Sequence, residues 1–219
     1  MKDYTIAKIS GIISQLAQSI STPDARIEHL LTDSRSLMFP ETSLFFAITT
    51  KRGDGHKYIP ALYAAGVRKF CKSKKISAGA SQLYPDANFL QVSDSTAALQ
   101  QLASFHRNRY DIPVIGITGS RGKTTVKEWL YQLLQCDEEV LRSPRSFNSQ
   151  IGVPLSVWEL DEPDTLAIFE AGISTSGEMQ PISNVINPDI AVLTNLGAEH
   201  EEGFPSLAVK SGREDTPIR

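Results

Sequence analysis

The feature that most constrains this chain is a glycine-rich segment between an apolar run and a helical pattern. Residues 113–118 form a short apolar run that is typical of a buried parallel strand. Two glycines follow, Gly119 and Gly122, and helical periodicity extends from Thr124 to Gln135. The order of strand, glycine loop and helix predicts an α/β domain in which the start of the helix can bind an anion.

The loop and the first turn of the helix contain the residue types that bind phosphate. Gly119 and Gly122 allow close backbone approach to an anion. Lys123 adds a positive charge, and the hydroxyl of Thr124 can bind Mg²⁺. The strict Walker pattern requires a glycine where this chain has Ile117, so the sequence misses that pattern by one residue. An ordinary strand-to-helix turn is the alternative, but a lysine and two threonines directly after the glycine disfavour it. We therefore predict that the phosphates of ATP bind to Gly119, Ser120, Arg121, Gly122, Lys123, Thr124 and Thr125.

Two further apolar runs, residues 165–169 and 189–194, end at polar residues and indicate repeated βα organisation. Glu170 follows the first run and His200 follows the second. Because the carboxyl ends of parallel strands meet at one edge of a sheet, both side chains are expected near the phosphate loop. Alone, each would be a surface carboxylate or a surface imidazole. Together with the loop, the sequence predicts Lys123, Glu170 and His200 as catalytic residues, and Thr124, Glu170 and His200 as metal ligands.

The first part of the chain alternates short apolar runs with turn signals. Residues 27–31 and 43–48 are predicted strands, and residues 58–65 have helical spacing that stops at Gly66. The predicted fold class is α/β: a small mixed α/β N-terminal domain over 1–110, then a truncated P-loop-type parallel-sheet ATP-binding domain over 111–219. Beyond Lys210 the apolar periodicity is lost, so the second domain is expected to be incomplete.

Bulk charge excludes some classes of partner. Lys and Arg total 22 against 25 Asp and Glu, and the net charge of -3 offers no general attraction to nucleic acid or to an anionic membrane. The amino terminus lacks the apolar stretch of a signal peptide, and no other stretch approaches membrane-spanning length. We therefore expect a cytoplasmic protein without membrane insertion and without a nucleic-acid partner.

The motifs, taken in order over about residues 25–207, resemble those of the Mur ligases, which add amino acids to the peptidoglycan precursor. Residues 119–125 resemble the shortened phosphate loop of that family, with Arg121 in place of the more usual Asn. By composition alone, the segments at Asp33 and Asp54 are turns. In the family context, they resemble the uridine-nucleotide-binding N-terminal domain of the later-acting members.

Within the family, residues 147–155, 170–172 and 195–200 look most like the members that add D-alanyl-D-alanine. The resemblance implies ATP-dependent ligation of D-alanyl-D-alanine to UDP-N-acetylmuramoyl-tripeptide through an acyl phosphate, with ATP and Mg²⁺ as cofactors. It also implies a set of substrate-binding residues, namely Asp33, Ser34, Arg35, Asp54, Gly55, His56, Asn148 and Ser149.

Two departures from the family pattern bear on activity. Mur ligases carry a lysine, often carbamylated, a little over a dozen residues beyond the position of His200, and this chain has polar and acidic residues there. Family members also continue through the rest of the central domain and a C-terminal domain. The chain is therefore expected to be an incomplete or inactive fragment. The alternatives are a diaminopimelate- or lysine-adding member, a non-catalytic module that binds UDP-muramoyl peptide, and folylpolyglutamate synthetase, which the Asp33 region disfavours.

Overall fold

The chain divides into two compact units, Met1–Leu102 and Ala103–Arg219. The computed structural model describes residues 2–51, 53–75, 79–172 and 177–195. The division falls inside a helix, ahead of the boundary at 110/111 that the sequence predicts. The binding role of each domain stays a prediction.

The first unit is a mixed sheet with short helices. Its helices and strands are α1 (Ile6–Ile12), β1 (Gln15–Ser19), β2 (His29–Leu31), β3 (Ser43–Ala47), β4 (Thr49–Thr50), β5 (Gly53–Asp54), α2 (Ile59–Ala64), β6 (Lys69–Lys72), α3 (Ala80–Leu83), β7 (Asn88–Val92) and α4 (Ser95–Arg107). Single 3₁₀ turns cover Ser34–Ser36, Pro40–Thr42 and Gly55–Tyr58.

Five strands of this unit form one sheet in the order β1-β7-β6-β3-β2, in which only β1 is antiparallel to its neighbour. Every residue of β3 is buried, as the continuous apolar run predicts. The strands β4 and β5 form a separate antiparallel hairpin. The strand β7 is not predicted from the sequence, because Asn88 and Gln91 interrupt its short apolar run.

The second unit follows a repeated βα plan. Its elements after the end of α4 are β8 (Val114–Thr118), α5 (Lys123–Leu134), β9 (Val140–Arg142), α6 (Gly152–Trp158), β10 (Leu166–Glu170), α7 (Met179–Ile186) and β11 (Ile190–Leu193). The four strands are all parallel, in the order β11-β8-β10-β9. The predicted α/β class, with a P-loop-type parallel sheet in the second unit, is confirmed.

Side chains of β10 alternate between two apolar clusters, one on each face of this sheet. Leu166 and Ile168 belong to the cluster against which the apolar side of α5 packs. Ala167 and Phe169 belong to the cluster that includes residues of α6 and α7. The period of two therefore places Glu170 on the same face as α5. Among the described residues, no helix combines the length and the apolar character that a membrane span requires.

Candidate nucleotide and metal site

The glycine loop connects the end of β8 to the start of α5, and its two glycines adopt backbone conformations that other residues rarely take. Gly119 has φ of +126° and Gly122 has φ of +82°. A Cβ atom on Gly119 would lie 2.2 Å from Oγ1 of Thr194, whereas one on Gly122 would meet nothing within 4 Å. Gly119 is thus required by both conformation and space, and Gly122 by conformation alone.

Residues at the end of β11 fix the shape of this loop. The backbone N–H of Ser120 donates to the main-chain oxygen of Asn195 at 3.0 Å, and the N–H of Arg121 donates to its side-chain Oδ1 at 2.8 Å. The hydroxyl of Thr194 donates to the carbonyl oxygen of Arg121 at 2.6 Å. This role of Thr194 and Asn195 beside the loop is not among the sequence predictions.

The start of α5 is open to an anion. The helix begins at Lys123, and no side chain in the described part of the chain caps it. The N–H groups of Lys123, Thr124 and Thr125 lie in the first turn and have no acceptor inside a helix. The Nζ atom of Lys123 donates to the carbonyl oxygen of Gly119 at 2.5 Å, so the ammonium already lies over the loop. Backbone dipole and side-chain charge therefore favour phosphate here.

Thr124 and Glu170 meet at the edge of the sheet, as the sequence predicts. The hydroxyl of Thr124 donates to Oε2 of Glu170 at 3.1 Å and lies 3.2 Å from the hydroxyl of Ser146. Glu170 is the last residue of β10 and is fully buried, so the alternative of a solvated strand-end carboxylate is wrong. Its backbone N–H donates to Oγ of Ser143 at 3.2 Å.

The other oxygen of Glu170 faces a buried lysine. The Nζ atom of Lys127 lies 3.1 Å from Oε1 of Glu170, and both side chains are fully buried. The contact is an ion pair without hydrogen-bond geometry, so Oε1 has no hydrogen-bond donor among the described residues. Lys127 is not among the site residues that the sequence predicts. Its position three residues after Thr124, on the apolar side of α5 beside Val126 and Leu130, is the signal that could have identified it.

This donor set fits Mg²⁺. A threonine hydroxyl and a carboxylate are oxygen ligands of the kind that Mg²⁺ prefers, and it commonly binds through one or two carboxylates together with substrate phosphates. The buried Oε1 of Glu170 has spare acceptor capacity, and Oε2 is directed to Thr124. His200, the third predicted ligand, lies outside the described residues.

Asn148 and Ser149 lie in the second unit, shortly before α6. The carbonyl oxygen of Asn148 accepts the N–H of Gly172 at 2.8 Å, and a Cβ on Gly172 would lie 2.8 Å from Cγ of Asn148. The hydroxyl of Ser149 accepts the N–H of Gly152 at 3.1 Å. Ser149 therefore supports the start of α6, and Asn148 is held against the segment that follows Glu170.

In the first unit, Asp33 and Arg35 form an ion pair at the 3₁₀ turn that includes Ser34. The Nη2 atom of Arg35 lies 2.6 Å from Oδ2 of Asp33, and the backbone N–H of Arg35 donates to Oδ1 at 3.0 Å. These bonds, the side-chain bond above all, lower the pKa of Asp33 from 3.8 to about 2. The guanidinium of Arg35 is 87% exposed and is accessible to an anionic ligand.

Asp54 and His56 belong to a second network in the first unit. Nδ1 of His56 lies 2.6 Å from Oδ1 of Asp54, and Nε2 accepts the backbone N–H of Ser73 at 3.1 Å. The ammonium of Lys74 bonds Oδ2 of Asp54, and this bond, followed by those from His56, lowers the pKa of Asp54 well below its usual range. A Cβ on Gly55 would lie 2.8 Å from the N atom of Ile48. Both ring nitrogens of His56 are thus engaged within the protein.

A parallel sheet whose central strand leads through a glycine loop into an uncapped helix defines a P-loop-type nucleotide-binding domain. Residues 117–208 match the family model of the Mur ligase middle domain. Over 204 residues the chain is 31% identical to the UDP-N-acetylmuramoyl-tripeptide–D-alanyl-D-alanine ligase of Bacillus subtilis. The aligned region covers 92% of this chain and 43% of that protein.

Solved structures agree with this match. The chain is similar to MurF from Acinetobacter baumannii, with a TM-score of 0.82 and 27% identity over 95% of this chain and 44% of that one. It is also similar to MurF ligase from Thermotoga maritima in complex with ADP, with a TM-score of 0.73 and 28% identity over 86% of this chain and 42% of that one. The chain belongs to the Mur ligase family, as its motifs predict, and spans less than half the length of these relatives.

Proposed function

We propose that this chain supplies the nucleotide and metal site of a ligase that joins D-alanyl-D-alanine to UDP-N-acetylmuramoyl-tripeptide with hydrolysis of ATP to ADP. The observation that carries the proposal is the fully buried carboxylate of Glu170, 3.1 Å from the hydroxyl of Thr124 at the start of α5. The activity named for the Bacillus subtilis relative and the ADP complex of the Thermotoga maritima relative support the same reaction.

The phosphates of ATP would bind at the start of α5. There, the backbone N–H groups of the first turn and the ammonium of Lys123 offset the negative charge of the phosphates. Thr124, Glu170 and His200 would hold Mg²⁺, which when bound neutralises phosphate charge and fixes the geometry of the transferred group. Asn195 and Thr194 hold the loop that carries these groups.

The proposed reaction has two steps. In the first, a terminal carboxylate oxygen of the tripeptide attacks the γ-phosphorus of ATP, the bond to the β-phosphate oxygen breaks, and ADP leaves. In the second, the amine of D-alanyl-D-alanine attacks the acyl carbon, inorganic phosphate leaves, and the amine loses a proton. Lys123 contributes by charge stabilisation while two anions approach each other.

We assign recognition of the UDP-muramoyl substrate to Asp33, Ser34, Arg35, Asp54 and Gly55, together with Asn148 and Ser149 of the second unit. Arg35 has the exposed guanidinium that a diphosphate requires. His56 would contribute to substrate recognition indirectly, by holding Asp54 and the backbone of residues 73–74 in place, because both of its ring nitrogens already have partners within the protein. We place the proposed reaction in the cytoplasm, as the sequence predicts.

The test is conversion of ATP to ADP and phosphate by the purified protein with UDP-N-acetylmuramoyl-tripeptide and, in separate reactions, D-alanyl-D-alanine, diaminopimelate or lysine. Any turnover is expected to require the dipeptide and to be lost in Lys123→Ala. A preference for diaminopimelate or lysine contradicts the proposed amine substrate. Calorimetry with the nucleotide sugar separates the remaining alternative, because binding without any turnover would identify a non-catalytic module.

A further inference from the structure

Lys127 is a buried cation that lies against the proposed metal ligand. Its Nζ atom donates to the carbonyl oxygens of Ser143 at 2.7 Å and Arg145 at 2.5 Å. It also lies 3.1 Å from Oε1 of Glu170 and 3.2 Å from Oε1 of Glu128. An ammonium has three N–H groups. Two are used by the carbonyl oxygens, and the two carboxylates contact the ammonium as ion pairs.

This arrangement orients the carboxylate of Glu170. Lys127 lies beside Oε1, so Oε2 is the oxygen that faces Thr124 at 3.1 Å. A fully buried carboxylate without a neighbouring cation would be costly to keep ionised. Lys127 therefore supplies a compensating positive charge beside the buried carboxylate of Glu170.

The same ammonium holds the loop that brings Ser146 to the site. Arg145 has φ of +51°, a left-handed conformation that non-glycine residues rarely adopt. Its carbonyl oxygen is fixed by Lys127, and the next residue, Ser146, places its hydroxyl 3.2 Å from Oγ1 of Thr124. One buried side chain thus positions both the carboxylate and the loop beside it.

We propose that Lys127 is a positioning residue for metal binding: it orients Glu170 and places a positive charge beside Oε1, so that Oε2 is directed to the cation at Thr124. In this role Lys127 acts through Glu170 and would contact neither nucleotide nor metal. The inference rests on the proposed function, because it assumes that Thr124 and Glu170 hold Mg²⁺ with a bound nucleotide.

The experiment is calorimetric titration of the 219-residue chain with ADP, with and without Mg²⁺. In the unchanged protein, Mg²⁺ is expected to tighten ADP binding. In Lys127→Met this gain should fall by about tenfold or more, as for other residues that orient metal ligands, while ADP affinity without Mg²⁺ stays within about twofold. If Lys127→Met does not fold, Lys127→Gln retains a donor for the carbonyl oxygens without the charge, and the same loss is expected.

Glu128→Gln is the matched control, because the partly exposed side chain of Glu128 contacts the same ammonium but does not touch the proposed metal site. This variant should keep the full tightening of ADP binding by Mg²⁺. A folded Lys127 variant with an unchanged Mg²⁺ gain overturns the inference while the proposed nucleotide site stands. If the unchanged protein shows no Mg²⁺-dependent binding of ADP, the proposed nucleotide site itself is wrong.

Discussion

The side-chain oxygen of Asn195 accepts the backbone N–H of Arg121 at 2.8 Å, so the second residue after β11 fixes the middle of the phosphate loop. The main-chain oxygen of Asn195 also accepts the N–H of Ser120 at 3.0 Å. Two N–H groups of the loop are therefore committed to Asn195. The proposed phosphate binding depends on the N–H groups at the start of α5, and Asn195 keeps the loop beside them in shape.

Replacing Asn195 by alanine should weaken nucleotide binding without unfolding the domain. The change removes one hydrogen bond to the loop and leaves the bond from Ser120 to the main-chain oxygen. A net loss of about 1 kcal/mol is expected, which is about a fivefold rise in the Kd for ADP. Calorimetry measures it, with Gln180→Ala as the control because that side chain is exposed and bonds Asn184. An unchanged Kd would show that the loop keeps its shape without this bond.

The two loop glycines should differ in their tolerance of alanine. Gly119→Ala places a Cβ 2.2 Å from Oγ1 of Thr194 in addition to forcing φ of +126°, so the loop must move and ADP binding should be lost. Gly122→Ala meets no atom within 4 Å and bears only the strain of φ at +82°, about 1–3 kcal/mol. ADP titration and thermal unfolding of both variants compare them. Equal effects would contradict the steric argument at Gly119.

Glu170 and Lys127 should be strongly coupled in stability. Lys127→Met leaves a buried carboxylate without its cation and should destabilise the protein by about 3–5 kcal/mol, whereas Glu170→Gln leaves the ammonium paired with Glu128 alone and should cost less. The double variant buries neither charge and should be less destabilised than the sum of the two. Urea unfolding of the four proteins gives the coupling energy. Additive single effects would mean that the ion pair contributes nothing to the fold.

Part of this site follows from the sequence because it depends on local pattern. The strand, loop and helix around Gly119 are contiguous, and Glu170 could be placed beside them because parallel strands end at the same edge. The ion pair of Glu170 with Lys127 could not be placed in this way. This ion pair depends on which face of the sheet the side chains of β10 occupy and on the path of the backbone at residues 143–145. The composition of α5 predicts neither of them.

The role of Asn195 could not be predicted from the sequence either. One of its two hydrogen bonds to the loop is made by its main-chain oxygen, which every residue type has. His56 shows the same difficulty in the first unit. Its motif suggested a ligand-binding side chain, whereas the backbone of Ser73 and the carboxylate of Asp54 use both ring nitrogens.

His56 should therefore matter more for the fold of the first unit than for direct substrate contact. His56→Ala removes a buried ring that ties Asp54 to the backbone of Ser73, and a loss of about 2–3 kcal/mol in unfolding free energy is expected. His56→Asn, which keeps a polar group, should lose less. Urea unfolding and titration with UDP-N-acetylmuramoyl-tripeptide measure the two effects. Full stability with abolished substrate binding would instead make His56 a direct ligand.

The ion pair of Asp33 with Arg35 gives the protein a pH-dependent feature that can be followed at one residue. The hydrogen bond from Arg35 lowers the pKa of Asp33 from 3.8 to about 2, so the unfolded chain binds a proton at this carboxyl more readily than the folded chain does. The stabilisation is present above pH 3.8 and is lost as the pH falls toward about 2. Because Arg35 is largely exposed, solvent and salt screen the pair, and the carboxyl titration is a sharper readout than stability.

Carbon NMR of the Asp33 carboxyl from pH 5 to about 1 should give a midpoint near 2 in the unchanged protein and a higher one, between 2 and 3.8, in Arg35→Gln, where the backbone N–H of residue 35 still donates to the carboxylate. The shift should shrink as salt is added, since the partner is exposed. Lys8→Gln provides the control, because Lys8 pairs with Asp3 at the amino terminus and should leave the Asp33 midpoint unchanged. A midpoint near 3.8 in the unchanged protein would show that Arg35 is not held against Asp33 in solution and is already available for an anionic ligand.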